Sequence, residues 1–202
     1  KFPAVLFLTE DLSMITDAPR VSRAFLDMLL ASVSRKYMEA LSQYQKALRS
    51  RNSLLLAAKE RSVSRGEFVF FEEQLVQYGT EIIESRQEGI SYFNKILSPL
   101  YNDISKGEDE VLTLSYVSTI PEVAKYKEVF DSNFRKDRLR CQTHVGPHRD
   151  DVEFIFNEKR LAAIGSRGEF RTAVLALKLA ELAINLSFLL LLVSLVASQP
   201  KN

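Results

Sequence analysis

The most constraining feature of the sequence is a tight glycine turn that leads directly into a long run of helix-forming residues. The turn is Gly165-Ser166-Arg167-Gly168, and the run that follows continues to Leu182. Glycine lets backbone N–H groups approach a ligand closely, and a helix N-terminus carries partial positive charge. The pattern predicts a helix that begins near Glu169 or Phe170 and contacts an anion, but it also occurs where a turn only joins a strand to a helix.

A second compact motif, GPHRDD at 146–151, precedes this turn. Zinc sites usually draw their ligands from two separated pairs, and this chain offers one cysteine and no second pair. We therefore interpret the motif as a charged, hydrogen-bonded turn that is either structural or part of an interface. The side chains that could be mistaken for a zinc set are Cys141, His144, His148 and Asp150.

Two stretches of helical periodicity occupy the first half of the chain. Apolar residues recur every three or four positions over 21–56 and again over 67–98, with a polar linker between them. This predicts an antiparallel helical hairpin, whose first helix is either continuous or broken near Ser32–Ser34. Gly79 and Gly89 are predicted to permit close packing. The opposite face of the first helix is predicted to be solvated and carries Arg35, Lys36, Glu39, Lys46, Arg49 and Arg51.

Shorter elements are predicted in the second half. Residues 111–117, 152–156 and 161–164 have the pattern of strands, the last two joined through 157–160 as a hairpin. Residues 121–140 are predicted to form a charged helix, and the apolar residues 3–8 a buried strand. The basic cluster near the end of that helix is interpreted as solvated, with nucleic-acid contact as the alternative: Arg135, Lys136, Arg138 and Arg140.

Composition narrows the classes of function. A chain of 202 residues with 46% hydrophobic content can form one large or two small globular domains. A net charge of +1 gives no general nucleic-acid surface, and the single cysteine, Cys141, excludes an internal disulfide and fits a reducing cytoplasm. The apolar run Ala183–Val196 is shorter than the roughly 20 residues that span a bilayer, so a membrane anchor is the least favoured of three interpretations. The other two are a tail whose original sequence has been replaced and a strand that has lost its acidic residues.

These motifs resemble the RecF family of bacterial DNA replication and repair proteins. The similarity runs over about residues 4–182, and its most specific points are GPHRDD at 146–151 and SRGEFRT followed by LALKLAEL at 166–182. The stretch TEDLSMITDAPRVSRAFLD at 9–27 also resembles the first signature of the family. Three residues depart from it, namely Thr9, Asp17 and Ser22.

The resemblance implies an α-rich α/β fold, namely part of an ABC-type ATPase head with an inserted helical-hairpin arm. It assigns 1–20 to the end of the N-terminal part of the head and 21–110 to the helical arm, lobe II. It assigns 111–182 to the C-terminal part of the head with the signature motif, and leaves 183–202 as a divergent apolar tail.

The resemblance also implies the site residues. Ser166, Arg167 and Gly168 correspond to the signature motif that faces ATP bound by the opposite head. Glu169 and Phe170 replace residues that are commonly glutamine in the family, and the negative charge of Glu169 would weaken the contact with a phosphate. An interface role near the same nucleotide is expected for His148, Arg149 and Asp150.

A complete family member is expected to bind ATP and Mg²⁺ and to form an ATP-dependent homodimer. It is expected to bind DNA at single-strand/double-strand junctions and to work with RecR and RecO in gap repair and the SOS response in the cytoplasm, away from any membrane. This chain has no Gly-x-x-x-x-Gly-Lys-Ser/Thr loop and no acidic residue after Glu181. Because both Walker motifs are missing, we expect a fragment that binds no cofactor and hydrolyses no ATP on its own.

Three alternatives to an ATPase fragment are open at this point. The first is a non-catalytic helical interaction module in which the hairpin at 21–98 binds a partner. The second is a degenerate remnant that no longer binds ATP, and the third is a tail-anchored protein.

Overall fold

The computed structural model describes residues 9–16, 19–107 and 109–197, and it describes side chains up to Leu186 except those of residues 9 and 10. The fold is α-rich α/β, as predicted from the sequence. Its helices are α1 (Ser13–Thr16), α2 (Pro19–Val33), α3 (Arg35–Ala57), α4 (Gly66–Ser105), α5 (Tyr126–Arg140), α6 (Leu161–Ile164) and α7 (Arg167–Ala197). Its strands are β1 (Leu112–Val117), β2 (Asp151–Phe156) and β3 (Lys159–Arg160), with 3₁₀ turns at Thr9–Leu12 and Val123–Lys125.

The chain divides into two compact units, each assembled from separate stretches of sequence. The first unit contains the described residues up to Val33, Gly89–Ser115 and the described residues from Val152 onward. The second contains Ser34–Glu88 and Tyr116–Asp151. These boundaries differ from those of the predicted segments 1–20, 21–110, 111–182 and 183–202, and the roles given to those segments stay predictions.

In the second unit, α3 and α4 up to Glu88 are antiparallel, because Tyr37 contacts Arg86 whereas Arg51 contacts Glu72. This is the part of the hairpin predicted over 21–98 that belongs to this unit. Ser34 interrupts the helical stretch and caps α3 by accepting a hydrogen bond from the N–H of Tyr37 at 3.1 Å. Of the two alternatives, a continuous helix or a break near Ser32–Ser34, the structure has the break. The buried side chains of α3 repeat every three or four residues: Tyr37, Ala40, Tyr44, Ala47, Arg51 and Leu55.

The two glycines inside α4 allow close packing, as predicted. A Cβ on Gly79 would lie 2.6 Å from the Tyr126 ring, and one on Gly89 would lie 2.7 Å from the Leu30 side chain. Carbon atoms do not approach that closely, so each neighbour occupies the space of the missing side chain. At each position alanine would favour the helix by about 1 kcal/mol over glycine, but its methyl group would clash with the neighbouring side chain.

In the first unit, β2 lies between β1 and β3. Strands β2 and β3 are antiparallel, with Ile155 opposite Arg160 and Phe156 opposite Lys159. Asn157 and Glu158 form the connecting turn with φ values of 45° and 67°. Two consecutive residues with positive φ are the geometry of a type I′ turn, which suits the twist of a hairpin.

The edge of β1 away from β2 is covered by side chains of α4. The Asn94 amide donates to the Leu114 carbonyl at 2.9 Å and accepts from its N–H at 2.8 Å. One turn later, the Ser98 hydroxyl does the same for Leu112, at 2.7 and 3.1 Å. These four bonds satisfy the backbone groups that an edge strand would otherwise leave open.

Three predictions about the C-terminal half are wrong. Residues 161–164 form the short helix α6 and not a strand, because a two-residue turn closes the hairpin and β3 ends at Arg160. Helix α7 begins at Arg167, before the predicted Glu169 or Phe170, and its backbone continues to Ala197. The tail is therefore helical where a strand was one of the expectations. The predicted strand at 3–8 lies outside the described residues.

Alkaline pH is expected to destabilise both units. Burial raises the pKa of Tyr101 from 10.0 to about 12 in the first unit, and burial also raises the pKa values of Tyr44, Tyr116 and Tyr126 in the second. The unfolded chain loses these protons first, so the stability that these tyrosines contribute is constant below about pH 10 and falls as the pH rises further.

The check for this prediction is urea unfolding measured between about pH 8 and pH 11, with tyrosinate absorbance recorded in parallel. The urea midpoint should fall over the upper part of this range. The tyrosinate signal of the buried side chains should appear together with unfolding. An unchanged midpoint would contradict the prediction.

Candidate functional site

The predicted signature corner lies at the start of α7, in the first unit. Gly165 ends α6 in an extended conformation, and its N–H donates to the Leu161 carbonyl at 2.8 Å. The Ser166 hydroxyl accepts a hydrogen bond from the Glu169 N–H at 3.3 Å, and the Glu169 carboxylate accepts one from the Ser166 N–H at 2.5 Å. This reciprocal pair is a capping box, which fixes the first turn of the helix.

The corner presents hydrogen-bond donors to solvent. Ser166, Arg167 and Gly168 are all exposed. The N–H groups of Arg167 and Gly168 belong to the first helical turn, where no intrahelical acceptor exists, and no other described residue accepts a bond from them. The Ser166 hydroxyl is already an acceptor for Glu169, so its own O–H remains available as a donor. Together these groups form a small cluster of donors suited to an anion.

The two glycines of the corner have different roles. A Cβ on Gly165 would lie 2.4 Å from the Phe170 ring and 2.8 Å from the Leu161 carbonyl oxygen, so packing explains this glycine. A Cβ on Gly168 would meet only the Ser166 hydroxyl, at 3.7 Å. The described fold therefore does not require glycine at 168. A residue without a side chain there leaves room for something outside these residues to approach the backbone.

Charges around the corner are mixed. The Ser166 N–H, followed by the Ser166 hydroxyl, lowers the pKa of the Glu169 carboxyl below 4.5, so Glu169 is ionised at neutral pH. Arg167 and Arg171 flank it on successive turns and are exposed. The first turn of α7 thus carries two cations and one anion. The anion, the Glu169 carboxylate, accepts a hydrogen bond from the Ser166 N–H and stays at the site.

The GPHRDD motif forms a tight turn in the second unit. Gly146 has φ of 118°, and a Cβ there would lie 2.5 Å from the Tyr44 hydroxyl and 2.6 Å from that of Tyr126. The carboxylate of Asp150 is wholly buried. It accepts bonds from Thr119 N–H and Oγ1, both at 2.7 Å, from Ser118 Oγ at 3.1 Å, and from the Tyr116 hydroxyl. Asp150 therefore holds the turn in place from inside.

The other two residues of the predicted interface differ in exposure. His148 is half-buried, and its Nε2 lies 3.1 Å from the Thr143 carbonyl oxygen, which can only accept. Its Nδ1 lies 2.7 Å from the Tyr44 hydroxyl, so Nε2 carries the proton and Nδ1 accepts from Tyr44. Arg149 is exposed, and among the described residues its side chain donates through Nε to the Thr143 carbonyl, at 3.3 Å. Of the three residues, Arg149 is the one whose charge reaches solvent.

The second unit also contains a buried charged cluster that the sequence analysis missed. Arg51, predicted to be solvated, is completely buried. It donates to Asp137 at 2.8 Å, to Thr143 at 2.8 Å and to Glu72 at 3.1 Å, and its guanidinium lies 4.4 Å from the Phe130 ring centroid. The available signal was position, because Arg51 follows Tyr44 by seven residues and precedes Leu55 by four, on the apolar stripe of α3.

The described residues contain neither a candidate metal site nor a candidate membrane-spanning helix. No three histidine, cysteine, aspartate or glutamate side chains among them are placed to hold a metal ion. Within the same residues, no helix combines the length and the apolar character needed to cross a membrane.

The chain is similar to RecF proteins in sequence and in fold. DNA replication and repair protein RecF of Bacillus cytotoxicus is 38% identical over 187 residues, which cover 88% of this chain and 50% of the relative. RecF of Bacillus thuringiensis is 37% identical over 188 residues with the same coverage. No family model matches the chain.

Two solved structures share the fold. One is the recombination mediator protein RecF of the RecFOR pathway with ATP, with a TM-score of 0.83 and 32% identity over 91% of this chain and 51% of that one. The other is the same type of protein with ATPrS, with a TM-score of 0.82 and 30% identity at the same coverage. The chain thus spans about half the length of the curated relatives and solved structures that it matches.

Proposed function

We propose that this chain, which belongs to the RecF family over the half of its relatives' length that it spans, acts as part of a DNA replication and repair protein. In this proposal the complete protein binds ATP and Mg²⁺, dimerises through ATP and binds DNA at single-strand/double-strand junctions. It acts in the cytoplasm in recombinational gap repair and the SOS response, with RecO and RecR as partners. The exposed donor cluster at the start of α7 is the observation that carries the proposal.

The proposed role of the corner is to contact ATP held by an opposite head. The Ser166 hydroxyl and the N–H groups of Arg167 and Gly168 point into solvent and lack acceptors among the described residues. The γ-phosphate would supply those acceptors, and the positive end of the α7 helix dipole would favour its charge. Nucleotide then joins two heads, because each head supplies half of the contacts.

The chain alone is not expected to hydrolyse ATP. It contains no phosphate-binding loop of the Gly-x-x-x-x-Gly-Lys-Ser/Thr type, and no acidic residue follows Glu181 to hold Mg²⁺ or orient water. The residues at hand fit an anion contact and do not form a complete nucleotide pocket. We therefore assign this chain the signature side of a shared site, with ATP bound by the loop of the opposite head.

The direct test is ATP-dependent association with an intact relative. Sedimentation velocity would be recorded for this chain mixed with RecF of Bacillus cytotoxicus, with ATP, with ADP and without nucleotide. The expected result is a heterodimer that forms with ATP and not with ADP. Association that ignores the nucleotide, or no association in any condition, would remove the proposed role of the corner.

The Gly168→Ala variant is expected to gain stability while losing this association. Alanine fits the space at 168 and favours a helix by up to about 1 kcal/mol over glycine, so unfolding should require more urea. The added methyl group would stand between the backbone and a phosphate, so ATP-dependent association should weaken by about tenfold or more. Urea unfolding and sedimentation velocity measure the two effects separately.

Gly66→Ala is the matched control for that variant. Gly66 also begins a helix, and a Cβ there would meet only the Ser64 hydroxyl, at 3.9 Å. Its replacement should raise stability by a comparable amount and leave ATP-dependent association unchanged. If Gly168→Ala also leaves association unchanged, the corner only caps a helix.

The alternative of a helical interaction module differs from this role in how partner binding depends on ATP. A helical module without nucleotide contact would use the α3–α4 hairpin and would bind its partner equally with and without ATP. The match to RecF solved with ATP favours the nucleotide-dependent role. In the same proposal, 21–110 serves as the helical arm, and 1–20 and 111–182 serve as parts of the head.

A further inference from the structure

One face of α5 in the second unit lines two surface cavities. The first, of about 340 Å³, lies between α4 and α5 over a floor that includes Val69, Val76 and Phe130. The second, of about 390 Å³, lies against the C-terminal half of α5. The α5 residues that line them repeat every three or four positions and so share one helix face, which we call the α5 face: Lys127, Phe130, Asp131, Phe134, Arg135, Arg138 and Leu139.

Apolar side chains are exposed at one end of the α5 face and on the neighbouring α4 at its other end. Leu139 is 75% exposed at the C-terminal end of α5, and Val69 is 42% exposed on the α4 side of the first cavity. The face spans 13 residues, which is about 18 Å of helix. A helix face of that length matches about three turns of a docked amphipathic helix.

Charge divides the face into a neutralised end and a basic end. At the first cavity, Arg65 pairs with both Glu72 and Asp131, the latter at 2.7 Å. At the other end, the exposed cations have no hydrogen-bond or ion-pair partner anywhere in the part of the chain that the structure describes: Arg135, Lys136, Arg138 and Arg140. Cations in the last helical turn are expected from the helix dipole, but that does not explain Arg135 and Lys136 or the exposed Leu139.

We propose that the α5 face binds an acidic amphipathic segment of a partner protein. Its apolar side chains would pack on the exposed Val69 and Leu139 and fill the two cavities. Its carboxylates would pair with Arg135 and Arg138, which supply the positive charge complementary to an acidic partner. This binding site is independent of the nucleotide-contacting corner at the start of α7.

A protein segment fits the α5 face better than nucleic acid does. Nucleic-acid binding depends on cations that neutralise phosphates, but Glu73 and Asp131 line the same cavity as Lys127. Leu139 is exposed at the basic end of the face, and a nucleic-acid duplex would offer it no apolar surface to pack against. An acidic helix would use both the apolar floor and the unpaired cations.

The test begins with selection of random 12-residue peptides displayed on phage against the whole chain. The enriched peptides should carry aspartate or glutamate together with apolar residues three or four positions apart. A synthetic fluorescent copy of the most enriched peptide would then be titrated by anisotropy. Reversal of charge in Arg135→Glu/Arg138→Glu should weaken its binding by about tenfold or more.

The chain offers a closely matched control. Lys46 and Arg49 are exposed on α3, have the same three-residue spacing, and change the net charge by the same amount when both become glutamate. Lys46→Glu/Arg49→Glu should bind the peptide as the wild type does. Leu139→Ser tests the apolar contribution without a change of charge and should also weaken binding.

Other outcomes would overturn the proposal. No enrichment, enrichment of basic peptides, or equal loss in both double variants would each remove the acidic-segment site. Binding of a labelled single-stranded or duplex oligonucleotide that requires Arg135 and Arg138, with no peptide binding, would make this a nucleic-acid surface. Self-association of the chain that Leu139→Ser abolishes would make it a contact between copies.

Discussion

Arg51→Met is expected to destabilise the second unit by about 3–5 kcal/mol, because it removes the cation that pairs with the buried Asp137 carboxylate. Arg51 has no exposed surface, and it donates to both Asp137 and Glu72. Glu72 would keep its pairing with Arg65, whereas Asp137 would keep only its contacts with His144. Methionine replaces the apolar stem of arginine, so the loss would report mainly charge and hydrogen bonding.

Urea unfolding monitored by circular dichroism would measure this loss, with Arg49→Met as the matched control. Arg49 is on the same helix but is exposed, so its replacement should change stability by no more than about 0.5 kcal/mol. Adding Asp137→Asn to Arg51→Met should recover part of the loss, since it removes the orphaned negative charge. Equal effects of the two methionine variants would show that Arg51 is not buried as described.

Asp150→Ala is expected to cost about 3–4 kcal/mol, because it leaves several buried donors without an acceptor. The donors come from Tyr116, Ser118 and Thr119, and all of them converge on the one carboxylate inside the GPHRDD turn. Asp150→Asn should cost about half as much, since hydroxyl groups can rotate to accept from the amide while Thr119 N–H keeps an oxygen acceptor. Urea unfolding of both variants measures the ranking.

The exposed Asp103 provides the control for that ranking. Asp103→Ala removes a carboxylate from the surface of α4 and should leave the free energy of unfolding nearly unchanged. If Asp150→Ala is as mild as Asp103→Ala, the motif does not owe its structure to this side chain. A strict order of alanine, asparagine and wild type would establish Asp150 as the internal support of the turn.

The apolar periodicity predicted the helical hairpin well. The assignment of buried positions failed where a charged residue was placed on the solvated face despite its spacing. The buried positions of α3 follow the predicted stripe, and the break at Ser34 lies where the sequence offered one. Arg51 was assigned to the solvated face because it is charged, although its spacing from Tyr44 and Leu55 places it on the apolar face. The acidic partners that make its burial possible lie 21 and 86 residues away, beyond the reach of a local pattern.

The turn at 165–168 lies where it was predicted, but the helix after it begins two or three residues earlier than predicted. Ser166 and Glu169 have the three-residue spacing of a capping box, which indicates a helix that starts directly after Ser166. The strand predicted at 161–164 failed for a related reason. The hairpin needed only Asn157 and Glu158 for its turn, so β3 came earlier and the apolar residues after it were free to form α6.

The burial of Asp150 could not be inferred from its motif. Its donors lie 31 to 34 residues earlier, in β1 and the loop that follows it. The sequence shows only two consecutive aspartates, one of which is wholly buried while the other begins β2. Which aspartate turns inward depends on the fold of the whole unit.

The side chains of Asn94 and Ser98 bind the backbone of β1, and this limits where a further strand can join the sheet. A strand supplied by another chain, or by more of the same chain, finds no free N–H or carbonyl at Leu112 and Leu114. Extension of the sheet has to proceed from the side of β3. The same hydrogen bonds protect this edge of the sheet from the edge-to-edge pairing that starts aggregation. A segment of this protein expressed by itself would therefore have one protected sheet edge.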